Sequence, residues 1–166
     1  MTCKNCNKEL EKGAKFCPDC GAKLTVKYTK VFENSGLGSK GFIEEINAWF
    51  AANPNVANVK CKFTTTVGFG LLVNHYKFKK LVVEYELFSG NNTMQYTVTK
   101  KEKFGLIRSN VSDMVDRWKK ENSDKTVVNW SGGHCARGQS GSLVFFGLGA
   151  FNRATAFILY KAPRNK

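Results

Sequence analysis

Acidic residues are scarce in this chain. Thirteen Asp and Glu stand against 26 Lys and Arg, a net charge of +13 at neutral pH. That balance turns away basic partners and favours nucleic acid, acidic proteins or anionic lipid, without choosing among them. A secretion signal is also missing from the visible start. Residues 1–15 are polar and carry no apolar stretch, so the thiols are expected in a reducing cytosol, where disulfide staples are rare. A membrane-length run is wanting too. "LVFFGLGAFNRATAFILY" (Leu143–Tyr160) has 18 residues, short of the roughly 20 that span a bilayer. Arg153 inside it would cost about 2.5–3.5 kcal/mol on insertion. Two buried strands are the expected reading, with no transmembrane span. The low hydrophobicity that keeps a chain disordered is absent as well, since 42% of the residues are hydrophobic and 13% aromatic.

What is present is concentrated at the start. "CKNCNKELEKGAKFCPDCGAKL" (Cys3–Leu24) holds two Cys-x-x-Cys pairs, Cys3/Cys6 and Cys17/Cys20. A tight turn aims the two sulfurs of each pair the same way. Two such turns meeting give the tetrahedral S₄ shell that Zn²⁺ prefers. A redox site would need one pair beside a βαβ pattern, and none surrounds these. Each turn needs a residue tolerating positive φ just after its second Cys; Gly21 and Asn7 occupy those places. The pattern therefore predicts one structural zinc ion held by Cys3, Cys6, Cys17 and Cys20. A segment this short has almost no core, so the metal must supply its folding energy.

"KFCPDCGAKL" (Lys15–Leu24) resembles the second knuckle of the short zinc ribbons found at the N-termini of many bacterial proteins. The resemblance covers residues 1–24 and implies the same four ligands, a closed non-catalytic site and an adaptor role. Asn7 departs from the glycine usual at its position. The resemblance implies no substrate and does not extend to residues 25–166.

The rest of the chain carries 21 basic and 10 acidic residues, net +11, so the basic surface belongs to it. Residues 25–41 read as a strand, "TVKYTKVF", followed by a turn-rich linker. Residues 42–166 read as a basic α+β domain, an antiparallel sheet with two helices. "FIEEINAWF" puts Phe42, Ile43, Ile46, Trp49 and Phe50 on one helical face, and Pro54 ends that helix. Strands are expected at 59–63, 81–88 and 94–100, each alternating apolar and polar. Asn110 caps a second helix with Val111, Met114, Val115 and Trp118 inward. Further strands are expected at 126–130, 142–148 and 154–161.

This order suggests a duplicated helix-plus-three-strand unit over residues 39–161. "INAWFAANPNVANVKCKF" and "VDRWKKENSDKTVVNWSG" align without gaps, pairing Trp49 with Trp118 and Cys61 with Trp130. "FGL" recurs at 69–71 and 146–148, and "KKLVVEYEL" and "RATAFILYK" each close a half. The plainer alternative is one sheet covered by two helices.

Two stretches bear on function. "SGGHCARGQSG" (Ser131–Gly141) sets His134 beside Cys135, with Arg137 near enough to lower a thiol pKa. Adjacent side chains in extended backbone point apart, so a turn with an incidental thiol is favoured over a Cys135 nucleophile. "HYKFKK" (His75–Lys80) interleaves Tyr76 and Phe78 with Lys77, Lys79 and Lys80. Such a strip can stack bases and track a phosphate backbone. The competing reading packs both rings inward and leaves the lysines to keep an edge strand soluble. The chain is thus expected to be a non-enzymatic cytoplasmic binding or adaptor protein for an unknown acidic partner. Nonspecific nucleic-acid binding is the first alternative and an enzyme using Cys135 the second.

Overall fold

Residues 2–3, 5–11, 14, 16–22, 26–36, 38–68, 75–88, 92–105, 109–136 and 152–164 are described by a computed structural model. After the N-terminal ribbon the chain runs β1 (Lys27–Glu33), α1 (Gly38–Ala52), β2 (Val56–Gly68), β3 (His75–Leu87), β4 (Met94–Gly105), α2 (Val111–Glu121), β5 (Thr126–Ala136) and β6 (Asn152–Pro163). The strands form two antiparallel three-stranded sheets, ordered β1-β3-β2 and β4-β6-β5. The single-sheet expectation is therefore corrected. Alternation along a strand states which side chains are buried; it does not state which strand lies alongside. The expected strand at 142–148 and both "FGL" segments lie outside the described residues.

Each sheet takes one helix on one face. α1 presents Phe42, Ile46 and Phe50, all buried, one turn apart. They pack on Leu81 and Val83 of β3, and each such side chain contributes about 1.5–3 kcal/mol on burial. α2 presents Val111, Val115 and Trp118 to Ala154, Ala156 and Ile158 of β6. Asn110 caps α2 as expected, its side chain accepting from the Ser112 N–H. α1 begins at Gly38, inside the stretch read as linker. β1 is hydrogen-bonded to β3 along its whole length.

The two sheets then close on each other. Ala154 to Leu159 of β6 are buried without interruption. Alternate residues face opposite layers: Ala156 and Ile158 meet α2, while Phe157 and Leu159 join Tyr96 and Val98 against α1 and the first sheet. The Phe78 and Phe157 rings stack 4.9 Å apart across that layer. The β2 and β5 edges meet where the Asn129 amide donates to the Cys61 carbonyl at 2.7 Å. Gly133 leaves room for the Tyr76 ring, which a Cβ there would strike. The 131–136 stretch expected as a turn is thus the far half of β5.

The halves share their order of elements and much of their detail. Val31 opposes Val82 in the first sheet as Lys100 opposes Phe157 in the second. Cys61 opposes Val83 as Trp130 opposes Ile158, and a register shift precedes each pair. Trp49 packs on Tyr85 at 5.4 Å and Trp118 on Tyr160 at 5.0 Å. Asn53 and Asn122 end the two helices in the same way, each side-chain amide donating to the Trp carbonyl four residues back.

A further polar contact joins the halves at the β4 edge. The Asn47 side chain of α1 donates to the Val98 carbonyl (3.0 Å) and accepts from the Val98 N–H (2.7 Å). It acts as a one-residue strand partner for β4. Asn47→Ala is expected to cost about 1–3 kcal/mol, because two part-buried backbone groups lose their partner. Asp116 stands at the matching place on α2 but is exposed and, among the described residues, pairs with Lys119 alone, so Asp116→Ala should cost less than about 1 kcal/mol. Urea unfolding midpoints of the two variants check the contrast.

Candidate metal centre

The ribbon is built from two nearly equivalent turns. The Cys3 N–H donates to Lys8 O and the Asn7 N–H to Cys3 O, both at 2.8 Å. In the second turn the Cys17 N–H donates to Ala22 O at 2.8 Å and the Gly21 N–H to Cys17 O at 2.9 Å. Both turns need a left-handed residue after the second Cys. Gly21 adopts φ 67° and Asn7 φ 57°, so Asn7 fills the glycine's place, as its short polar side chain allows. Cys3, Leu10 and Cys17 are buried together, with Ala22 packed against them. Among the described residues, that is the ribbon's apolar core.

The turns bring the four thiols together. All four Sγ atoms lie within 4.8 Å of one another. Cys3 and Cys20 approach to 3.7 Å and Cys6 and Cys17 to 3.5 Å. Four sulfurs bound tetrahedrally to zinc at about 2.3 Å would stand about 3.8 Å apart, so the thiols fit the ion. The spacing is far beyond a disulfide bond of about 2.05 Å, and all four cysteines are free.

The surroundings favour thiolates. Backbone N–H groups of Lys8 and Ala22 reach Cys6 and Cys20, and the Asn5 amide donates to Cys20 Sγ at 3.8 Å. Without metal the thiols share their protons unequally. The Ala22 N–H, then the Cys6 thiol, brings Cys20 down to about 6. The Lys8 N–H lowers Cys6, but hydrogen bonds with Cys17, Cys20 and Cys3 outweigh it and carry Cys6 up to about 12. A bound dication removes that competition by holding all four as thiolates. The donors Asn5, Lys8 and Ala22 are not marked by residue type. Their signal is positional: Lys8 and Ala22 each stand two residues after a second Cys.

The other candidate residues lie elsewhere. β3, which carries the basic–aromatic stretch, is the central strand of the first sheet rather than an edge. Phe78 is fully buried among Phe42, Phe63 and Phe157, so its ring has no face to offer a base. Tyr76 is half-buried against the same core. Lys77 and Lys79 are exposed, and Lys80 pairs with Glu33 at 2.6 Å. The side chains do not form one stacking strip.

Cys135 is buried opposite Arg153 on β6. Burial pushes its thiol pKa up, and the charge of Arg153 only partly opposes the rise. Arg137, expected as its activator, lies outside the described residues. Cys61 packs on the first core as expected, and burial raises its pKa to about 12.

The zinc-ribbon domain family matches residues 2–24. No curated protein and no solved structure matches the chain. Geometry and family agree on the ribbon: Cys3, Cys6, Cys17 and Cys20 form a site for one structural zinc ion. Among the described residues, no helix is long and apolar enough to cross a membrane.

Elemental analysis should return about one zinc per chain, the stoichiometry of a four-thiolate site. Replacing Cys17 by Ser should abolish stoichiometric binding. Zinc should be released as the pH falls, because each ligand binds a proton in place of the metal. A strong chelator should unfold the ribbon and leave the Trp49 and Trp118 fluorescence unchanged. Loss of tryptophan burial on chelation would instead make ribbon and sheets one cooperative unit.

Proposed function

We propose that this protein is a non-enzymatic, cytoplasmic binding or adaptor protein whose zinc ribbon is a docking or stabilising module and whose basic domain engages an acidic partner. The observation that carries this reading is the net +11 of residues 25–166, set on a domain with two apolar cores. The charge stands on several surfaces: Lys60 and Lys62 on the first sheet, and Arg117, Lys119 and Lys120 on α2, are all exposed. The α2 cations share their face with Asp113 and Asp116, which would repel a phosphate backbone. That mixture favours a protein partner over nucleic acid. The raised pKa of buried Cys135 supports the absence of thiol catalysis.

We also infer that the large domain is two copies of one strand–helix–strand–strand unit. Support comes from the common sheet order, the matched registers, the two Trp–Tyr pairs and the two Asn helix ends. In related sequences the Trp and the Asn four residues on should recur in both halves at one spacing; their loss from either half as a rule would count against it.

Capture from host lysate with and without nuclease tests the function. An acidic protein retained after nuclease supports the reading. Retention of nuclease-sensitive material alone would transfer it to nucleic acid. DNA and RNA of unrelated sequence should bind weakly, at ~10⁻⁴–10⁻⁶ M near physiological salt, with affinity falling steeply as salt rises. Rapid, selective alkylation of Cys135 at neutral pH would instead point to an enzyme.

A further inference from the structure

The two sheets differ at one corresponding edge. In the second sheet the outward N–H and C=O of Val98 are closed by Asn47. The matching residue of the first sheet is Thr29, on β1. The ladder continues past β1 with the Asn34 N–H donating to Lys79 O at 2.8 Å, so even-numbered residues bond to β3 and odd-numbered ones face away. The outward N–H and C=O groups of Lys27, Thr29 and Val31 therefore have no partner among the described residues. Six of the seven β1 residues are exposed. Apolar side chains flank the edge on both faces, with Tyr28 39% and Val31 43% exposed.

We propose that the β1 edge is the docking strand for an extended acidic segment of a partner, which adds to the first sheet as a fourth strand. The inference rests on the acidic-partner reading and locates its site. Main-chain bonds to Lys27, Thr29 and Val31 supply the pairing, as in other strand-addition complexes. Lys27 and Lys30 lie on opposite faces of β1 and meet acidic residues on either face of the incoming strand. Of the nearby acids, Glu33 pairs with Lys80 at 2.6 Å, Glu84 stands opposite Lys60 in the ladder, and Glu86 stands opposite Lys27 and accepts from the Asn58 amide at 2.7 Å. A second copy of this chain is disfavoured as the occupant, because each copy carries +13.

The test titrates the full zinc-loaded chain with a blocked eight-residue peptide of repeating Glu-Glu-Val-Val, which places acids on both faces of a strand, beside a Ser-Ser-Val-Val control, at low salt. Affinity is read by fluorescence anisotropy and the site by amide NMR shifts. The acidic peptide should bind and shift Lys27, Thr29 and Val31. Thr29→Pro removes an outward donor and no bond to β3, so it should weaken binding at least tenfold. Lys27→Glu with Lys30→Glu, which leaves the backbone unchanged, should do the same. Lys101→Glu with Lys103→Glu, the same charge change on β4, should alter affinity less than twofold. Peptide binding that ignores Thr29→Pro and the β1 charge reversal would overturn strand addition while leaving the acidic-partner reading intact. Equal binding of the Ser-Ser-Val-Val peptide would overturn the acidic preference. No binding of either peptide would overturn both readings.

Discussion

The large domain depends on β6 being covered from both sides. Six successive residues, Ala154 to Leu159, have no solvent-facing member, so the strand has no stable place at a surface. Its two faces divide the work by size. Ala154 and Ala156 let α2 approach closely, while Phe157 and Leu159 reach across to Phe78 and the first core. Packing at native density then fixes the separation of the layers. Thr155, the one polar residue in the run, is accommodated because its hydroxyl donates to Glu102 at 3.2 Å. Arg153 and Lys100 hold the same carboxylate. Desolvation raises the pKa of Glu102, but these cations outweigh it and set the net shift downward. The polar cluster thus terminates the apolar layer without leaving a buried charge unpaired.

Against that layer α1 is the shared element. It belongs by sequence to the first half, yet its Asn47 binds β4 and its Phe50 ring packs against Tyr96 at 5.6 Å. The first sheet therefore has one face on α1 and one in water, whereas the second has a helix on one face and the first half on the other. This difference explains the charge pattern. Lys60, Lys62, Glu84 and Thr29 occupy the wet face of the first sheet, and Tyr96, Val98, Phe157 and Leu159 occupy the corresponding face of the second.

How much of this was legible in the sequence varied with the range of the forces. The zinc ligands were fully legible, because a Cys-x-x-Cys turn is local and needs no knowledge of the rest of the chain. Asn7 and Asn110 were legible for the same reason: each solves a backbone problem one or two residues away. Both helices and the apolar run of β6 followed from periodicity. The partition into two sheets was not legible, since pairing is decided by partners dozens of residues distant. "HYKFKK" looked like an edge because its lysines alternate, but β1 and β2 lie on either side of it. "SGGHC" looked like a turn because of its glycines, which instead admit Tyr76 and the backbone of Thr155. The bidentate Asn47–Val98 contact had no sequence signal at all.

The wet face of the first sheet also limits how far the architecture can extend. In the second sheet the corresponding face is apolar and seats the preceding helix. Were Thr29 and Glu84 replaced by residues of that apolar kind, every molecule would expose a broad apolar sheet face, and such faces associate. The lysines and glutamates on that face act as a chain terminator for assembly, confining the stacking to the inside of one molecule.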